Sequence, residues 1–395
     1  MKNSHILYIH DHKFIFVGNN YYSEGKFTTE VFSRYDSLNS DINVLSRVVE
    51  NSQGNNLNQV SNKNIHFTPV KGIGFFSIFI KYFFQNIIMT VKEIKKVDAL
   101  IVRLPSFLGV FVLILNLFFQ KKYFIELVGD PQEALITSKK KVGFLFKCFI
   151  YIFSAFNKFF VKKADGVIYV TQYDLQKRYP TKKLQAYASN VEVNINPLDL
   201  GLNKYALKYE NNIKVGLIGS FNNEYKGIDT ALKSIHLLKE HDCVVHLYIL
   251  GSGKLKDHYL EMAKKLEIAD QIHFDGSLSG GEAVLNWLKG LDLYIQPSRT
   301  EGLPRALIEA MSTGLPCIAT NVGGIPELLH EDDLVDRDSP VTLAKRISEA
   351  VKSQELRYQM GQRNYSRSLD YDAKQLNKIR SEFWEKAAET INESD

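Results

Sequence analysis

The sequence predicts an α/β protein made of two Rossmann-like, doubly wound parallel-sheet domains facing a cleft. Three observations carry this. Short apolar strand candidates alternate with helix-length segments along the whole chain, which is the mark of βαβ crossovers and parallel sheets. The 395 residues exceed one ordinary hydrophobic core and suit two domains of about 180–200 residues. The charge also divides: residues 1–200 hold 25 Lys and Arg against 15 Asp and Glu, whereas residues 201–395 hold 24 against 29.

In the first half the expected strands are Ile6–Ile9, Asn43–Val49, His66–Pro69, Ala99–Val102, Tyr123–Val128, Gly166–Val170 and a last one near Leu184–Ala188. The expected helices are Thr28–Tyr35, Phe75–Lys95, Leu104–Gln120, Val142–Lys162 and Gln172–Tyr179, the last stopped by Pro180. Between them, Asn51–Asn64 reads as a polar loop. Asn196–Asn211, with Pro197, Gly201 and a polar end, interrupts both periodicities and reads as the linker. Beyond it come strands at Lys214–Ile218, Val244–Leu250, Gln271–Phe274, Leu291–Ile295 and Pro316–Ala319. Their helices are Ile228–Lys239, Leu255–Leu266, Glu282–Lys289, Pro304–Met311 and Gly324–Leu329, before a charged helical tail over Pro340–Asn392. The resulting division is 1–203, 204–372 and a C-terminal helix over 373–395.

Composition narrows the function classes. Cys148, Cys243 and Cys317 are few, odd in number and lack metal-ligand spacing, so they read as reduced thiols of a cytosolic protein. The N-terminus is too short and polar in its apolar run for a signal peptide. Leu104–Gln120 is an uncharged run of seventeen residues, but it lies between two strand candidates and reads as a buried crossover helix rather than a membrane span. The basic first half carries no nucleic-acid module, because its Lys residues are interleaved with Phe, Ile and Leu. An anionic neighbour, a bilayer or a phosphorylated acceptor, fits it better.

The most informative run is Gln296–Leu329, QPSRTEGLPRALIEAMSTGLPCIATNVGGIPELL. A strand ends near Gln296, Ser298 to Gly302 turn the chain, and Pro304 opens a helix. The unpaired N–H groups from Gly302 and Leu303 onward favour an anion such as a pyrophosphate. Glu301 sits at that mouth. Glu309 lies five residues into the helix, about 7.5 Å along the axis, a span like that between a diphosphate and its ribose hydroxyls. A solvated helix with two surface glutamates is the plainer alternative, which the flanking Gly314-Leu315-Pro316 and Val322–Glu327 turns make the weaker reading.

These residues resemble the retaining glycosyltransferases of family 4 (group 1 glycosyltransferases), whose E-x7-E motif matches Glu301 and Glu309. The resemblance covers Lys214 to about Tyr365 and more loosely the first half. It implies a GT-B fold with the donor held by the C-terminal domain, the acceptor by the N-terminal one, and no bound metal or other cofactor. It further implies that Glu301 touches the donor sugar, Lys226 the leaving diphosphate and Glu309 the ribose. Gly219 and Ser220 occupy the first phosphate loop, where the family usually has an Arg at the position of Ser220. That departure shifts phosphate neutralisation to Lys226, the Pro304 helix and Arg299 or Arg305. Gly251 lies in the second glycine turn, Gly276 ends the strand that borders the base, and Ser298, Gly302, Leu303 and Arg305 complete the donor-binding set. The last segment, roughly Gln375 to Ile391, crosses back to the N-terminal lobe in the family.

In the first half, Asp130 at a strand end is the candidate acceptor-side catalytic residue, with Glu126 behind it. A turn cap before Pro131 explains Asp130 equally well. His10-Asp11-His12 offers two histidines on one strand face, too few for a metal site. Asp336-Arg337-Asp338 reads as a solvated acidic loop. Phe75–Lys96 and Lys139–Lys163 mix Phe and Ile with Lys, as bilayer-surface helices do, or as core helices with lysine stems at the rim. The reading that unites these points is a cytoplasmic transferase, peripheral to the inner face of the membrane. It moves a sugar from a nucleotide-sugar donor to a surface-glycan or lipid-linked acceptor, as in capsule, lipopolysaccharide or exopolysaccharide assembly. A sugar-nucleotide epimerase on the same fold and a non-catalytic glycan- or nucleotide-binding partner are the rivals.

Overall fold

The computed structural model describes residues 4–24, 27, 29–50, 57–60, 64–132, 143–195, 213–279 and 281–393. The chain forms two compact units, Met1–Asn190 with Asn377–Asp395, and Val191–Leu376. The linker expected at Asn196–Asn211 lies outside the described residues.

In the first unit the strands are β1 Ser4–Val17, β2 Asn20–Ser23, β3 Ser40–Glu50, β4 Asn58–Val60, β5 Ile65–Val70, β6 Ala99–Leu104, β7 Lys122–Leu127, β8 Gly166–Tyr169 and β9 Leu184–Tyr187. Its helices are α1 Thr29–Ser33, α2 Phe83–Lys96, α3 Phe107–Phe119, α4 Phe144–Lys163 and α5 Asp174–Arg178. The parallel strands run in the order β5-β3-β1-β6-β7-β8-β9. Counted along the chain, that is the doubly wound order, with the connection reversing direction between β1 and β6. Near-continuous apolar runs such as Ile6–Ile9 and Ala99–Val102 suit strands covered on both faces.

The first strand is far longer than its apolar run suggests. It pairs with β3 from Ser4↔Ser40 to Ile9↔Leu45, slips at His10-Asp11-His12, and resumes from Lys13↔Arg47 to Phe16↔Glu50. The extension turns back antiparallel through β2, which in turn pairs with β4. Thus part of the expected polar loop, Asn58–Val60, is strand, because the hairpin offers it an unpaired edge. Ser77–Lys81 forms a π-helical turn before α2, so the helix expected to be continuous over Phe75–Lys95 is interrupted near Tyr82.

In the second unit β10 is Ile213–Ile218, β11 Val245–Leu250, β12 Ile272–Gly276, β13 Leu293–Gln296, β14 Cys317–Thr320 and β15 Leu334–Val335. The sheet order is β12-β11-β10-β13-β14-β15, every pair parallel, and the reversal falls between β10 and β13. The helices are α6 Ile228–Glu240, α7 Lys256–Lys265, α8 Glu282–Lys289, α9 Arg305–Ser312, α10 Pro340–Lys352 and α11 Gln354–Ser368. In α10, Leu343, Ala344, Ile347, Ala350 and Val351 are buried at helical spacing, each large side chain contributing roughly 1.5–3 kcal/mol. The helix expected over Gly324–Leu329 is only a 3₁₀ turn at Ile325–Glu327.

The last helix, α12 Ala373–Asn392, joins the first unit from Asn377. There Trp384 is fully buried, its ring 5.1 Å from that of Tyr35 and 6.3 Å from that of Phe124. The three cysteines are unpaired; Cys243 and Cys317 are buried, whereas Cys148 is only partly so.

Candidate functional site

In an open α/β sheet, ligands collect beyond the carboxyl ends of the strands where the order reverses. In the second unit that place is bounded by the loop after β10, Gly219–Gly227, and the loop after β13, Pro297–Pro304. Both carry the predicted residues. Lys226 Nζ lies 2.6 Å from Glu301 Oε1, with the two side chains 14% and 10% exposed. The same Oε1 accepts from Gln296 Nε2 at 2.9 Å and from Ser298 Oγ at 2.6 Å. Glu301 thereby spends one oxygen on three donors, while Oε2 has no partner among the described residues.

The support is layered and buried. Tyr294 donates its phenol to Gln296 Oε1 at 2.6 Å, and burial holds that phenol well above its usual range. Gln296 donates to Ser298 Oγ at 2.9 Å, and Thr320 Oγ1 donates to the Ser298 carbonyl at 2.5 Å. Ser298 is fully buried, and its hydroxyl is donated to Glu301. Removing one member of such a buried charged pair strands the other at a cost of about 3–5 kcal/mol.

Glycines set the close approaches. Gly323 has φ +55° and a Cβ there would stand 1.8 Å from the Glu301 carbonyl oxygen, so no other residue fits under that turn. Gly227, at φ +66°, is pressed in the same way on the Pro297 carbonyl. At Gly219 a Cβ would meet Lys226 Cγ at 2.8 Å; the bare backbone lets the lysine stem lie across it. Gly251 donates its N–H to the Gly276 carbonyl at 2.5 Å, which joins the ends of β11 and β12. Above Gly302 a Cβ would meet nothing within 4 Å.

Pro304 is the N-cap of α9 rather than its first helical residue, and no side chain caps the helix. Among the described residues no acceptor takes the N–H groups of Gly302, Leu303, Arg305 or Ala306, which leaves them for an anion. Arg305 is 46% exposed and lies 3.8 Å from Glu309, itself nearly buried. Ser220 accepts the Asn222 N–H at 3.3 Å and brings no charge.

Arg299 departs from expectation. Its guanidinium is held by Asp229 at 2.7 Å and Asp338 at 2.6 Å, and it donates to the Glu224 carbonyl. The Asp229 hydrogen bond leads in raising its pKa. Its charge is thus balanced within the loop frame, not reserved for phosphate. Asp338, expected in a solvated acidic loop, is part of that clamp.

In the first unit, Asp130 is buried; its Oδ2 pairs with Arg178 at 2.9 Å and its Oδ1 accepts the Gln132 N–H at 2.6 Å. That is the geometry of a turn cap. Glu126 pairs instead with Arg103 on the neighbouring strand, at 2.7 Å. Asp11 accepts the N–H groups of Phe107 and Leu108, at 2.7 and 3.2 Å. His10 and His12 both stack on Phe27, and His12 Nε2 bonds Ser23 Oγ at 2.8 Å.

Comparison with known proteins adds an independent line. The model of the family described as glycosyl transferases group 1 matches residues 203–367. Protein CapJ of Staphylococcus aureus is 31% identical over 359 residues, which is 89% of this chain and 88% of that protein. Among solved structures, sucrose-phosphate synthase of Thermosynechococcus elongatus superposes with a TM-score of 0.68 at 15% identity, over 98% of this chain and 100% of that one. HepE of Anabaena, solved in complex with UDP and glucose, gives 0.61 at 14% identity over 99% and 100%. At these identities the two structures speak to the fold.

Proposed function

Since the chain belongs to the group 1 glycosyl transferases and has their GT-B fold, we propose that it works with retention of configuration. It takes a sugar from a nucleoside diphosphate and places it on a surface glycan or its lipid-linked precursor, at the cytoplasmic face of the membrane. The observation that carries this reading is the Lys226–Glu301 pair beside the uncapped start of α9, at the order reversal of the second sheet.

In this proposal the bond between the anomeric carbon and the β-phosphoryl oxygen breaks, and negative charge grows on the departing diphosphate. Lys226 and the N–H groups of Gly302, Leu303 and α9 neutralise it, with Arg305 at the open side and the glycine turns at Gly219, Gly251 and Gly276 admitting the nucleotide. Glu301 keeps Lys226 in place through Oε1 and accepts from a sugar hydroxyl through Oε2. Glu309 takes the ribose hydroxyls. Retention asks that the acceptor hydroxyl arrive on the face the diphosphate leaves. Its oxygen forms the new bond to the anomeric carbon while its proton passes to the leaving phosphate oxygen, so no group on the protein changes charge overall. The donor class matches the nucleotide bound by HepE.

A panel of UDP- and GDP-linked sugars, scored by thermal shift and slow hydrolysis, tests this beside Glu301→Ala and Glu309→Ala. A shift confined to one donor, lost in Glu309→Ala, with hydrolysis lost in Glu301→Ala, is expected. Conversion of the donor sugar into its epimer without acceptor would replace transfer with isomerisation.

A further inference from the structure

We propose that the first unit lies on an anionic lipid bilayer through a single face formed by α2 with its preceding turn, α3 and α4. This deepens the membrane placement of the proposed function and does not depend on the donor site. The three helices form one layer: the Phe79 ring packs 5.7 Å from Phe111, Phe107 5.8 Å from Phe149, and Phe75 6.4 Å from Phe149. Their inner sides belong to one core with the sheet. Their outer sides are also apolar. Phe84 is 77% exposed, Phe118 81% and Leu145 83%, with Ile88, Tyr151 and Ile152 bare beside them. Water-facing helices normally put charge there.

α4 shows why the contact is in-plane. Its 20 residues are long and apolar enough to cross a membrane, but Ile150, Phe153, Ser154, Asn157, Phe160 and Val161 are buried at helical spacing against the unit's core. A helix fixed to a sheet along one side can offer only its other side to lipid.

The charges select the occupant. Lys81, Lys92, Lys95 and Lys96 stand exposed in the α2 region, and Lys147, Lys158, Lys162 and Lys163 along α4. The sole carboxylate in these segments, Glu93, is buried and bonds Lys96 at 2.7 Å. A second copy of the chain would set lysine against lysine with no acid to pair. An anionic bilayer supplies acyl chains for the aromatic side chains and phosphates for the ammonium groups, whose stems reach the rim; Lys95 already arches over Phe119 at 5.8 Å.

Flotation of the full chain with phosphatidylcholine vesicles, with and without phosphatidylglycerol, tests this. Binding at least about tenfold stronger to the phosphatidylglycerol vesicles, weakened by salt, is expected. The combined variant Phe84→Ser, Phe118→Ser, Leu145→Ser should lose binding to both vesicle types. Lys147→Glu with Lys158→Glu should lower only the binding to anionic vesicles, by about tenfold. Nucleotide binding in the same preparations reports folding and separates failure here from failure of the donor site. Equal flotation of all variants, no flotation, or a light-scattering dimer that the triple variant dissociates would overturn the proposal.

Discussion

The two sheets share one strand order and end their switch points in opposite ways. In the first unit the helix that starts there, α3, is closed: Asp11 takes the N–H groups of Phe107 and Leu108, and Ser106 takes that of Gly109 at 2.8 Å. In the second, among the described residues, α9 starts without a side-chain cap, beside a lysine and a carboxylate with an uncommitted oxygen. A helix start attracts anions only while its N–H groups are free. The same topology therefore makes an internally satisfied joint in one unit and leaves a helix start open to an anion in the other.

The comparison breaks most visibly at Lys226. Lys226→Met should slow transfer by roughly 10²–10³-fold, the loss typical of one donor to developing charge, measured in single turnover against the donor that the panel identifies. If transfer is unaffected, the second switch point holds no diphosphate. Glu309→Ala, by contrast, should weaken donor binding about tenfold, roughly 1.4 kcal/mol, and leave kcat nearly unaltered, as the split between kcat and KM reports.

A smaller effect sharpens the first unit's side. Burial, followed by the Arg47 cation, lowers His12 to about 4, and burial with Arg103 lowers His10. Between the unfolded value near 6.5 and about 4, the unfolded chain binds protons that the folded chain refuses. Stability should therefore be level above pH 6.5 and fall as pH drops through that window, by at most about 1.4 kcal/mol per pH unit for each histidine. Solvent around the partly exposed His12 lowers its share. Urea unfolding at stepped pH should show that slope, and His12→Asn should flatten part of it. The smallest expected change is Asp11→Ala, which should cost about 1 kcal/mol as a lost cap and leave nucleotide affinity where it was.

What could be read from sequence follows from what is local. Strands such as Ile213–Ile218 and Val245–Leu250 are apolar runs bounded by turn residues, and α9 is announced by Pro304 and its glycine turns. The extension of β1 was hidden by His10-Asp11-His12, a polar triplet that the strand passes by slipping register. The two residues of β15, set among acids, are placed by long-range pairing with β14 and by the burial of Val335 in the core. At the site, Lys226 and Glu301 carried a motif, but their supports did not. Arg299 finds Asp338 across 39 residues and Asp229 across 70, distances over which no periodicity speaks. A loop cation therefore resembled a phosphate ligand and an acidic loop resembled a solvated one. Gln296 was visible as a strand end, but its bond to Glu301 needed the turn's geometry.

The central claim is that the second switch point, and not the first, holds a nucleoside diphosphate. Calorimetric titration of UDP and GDP into the unaltered chain, Lys226→Met and Asp11→Ala tests it most directly. The account predicts that one nucleotide binds, that Lys226→Met weakens it by tenfold or more, roughly 1.4 kcal/mol at least, and that Asp11→Ala does not change it. Unchanged affinity in Lys226→Met, or loss in Asp11→Ala with the chain still folded, would contradict it.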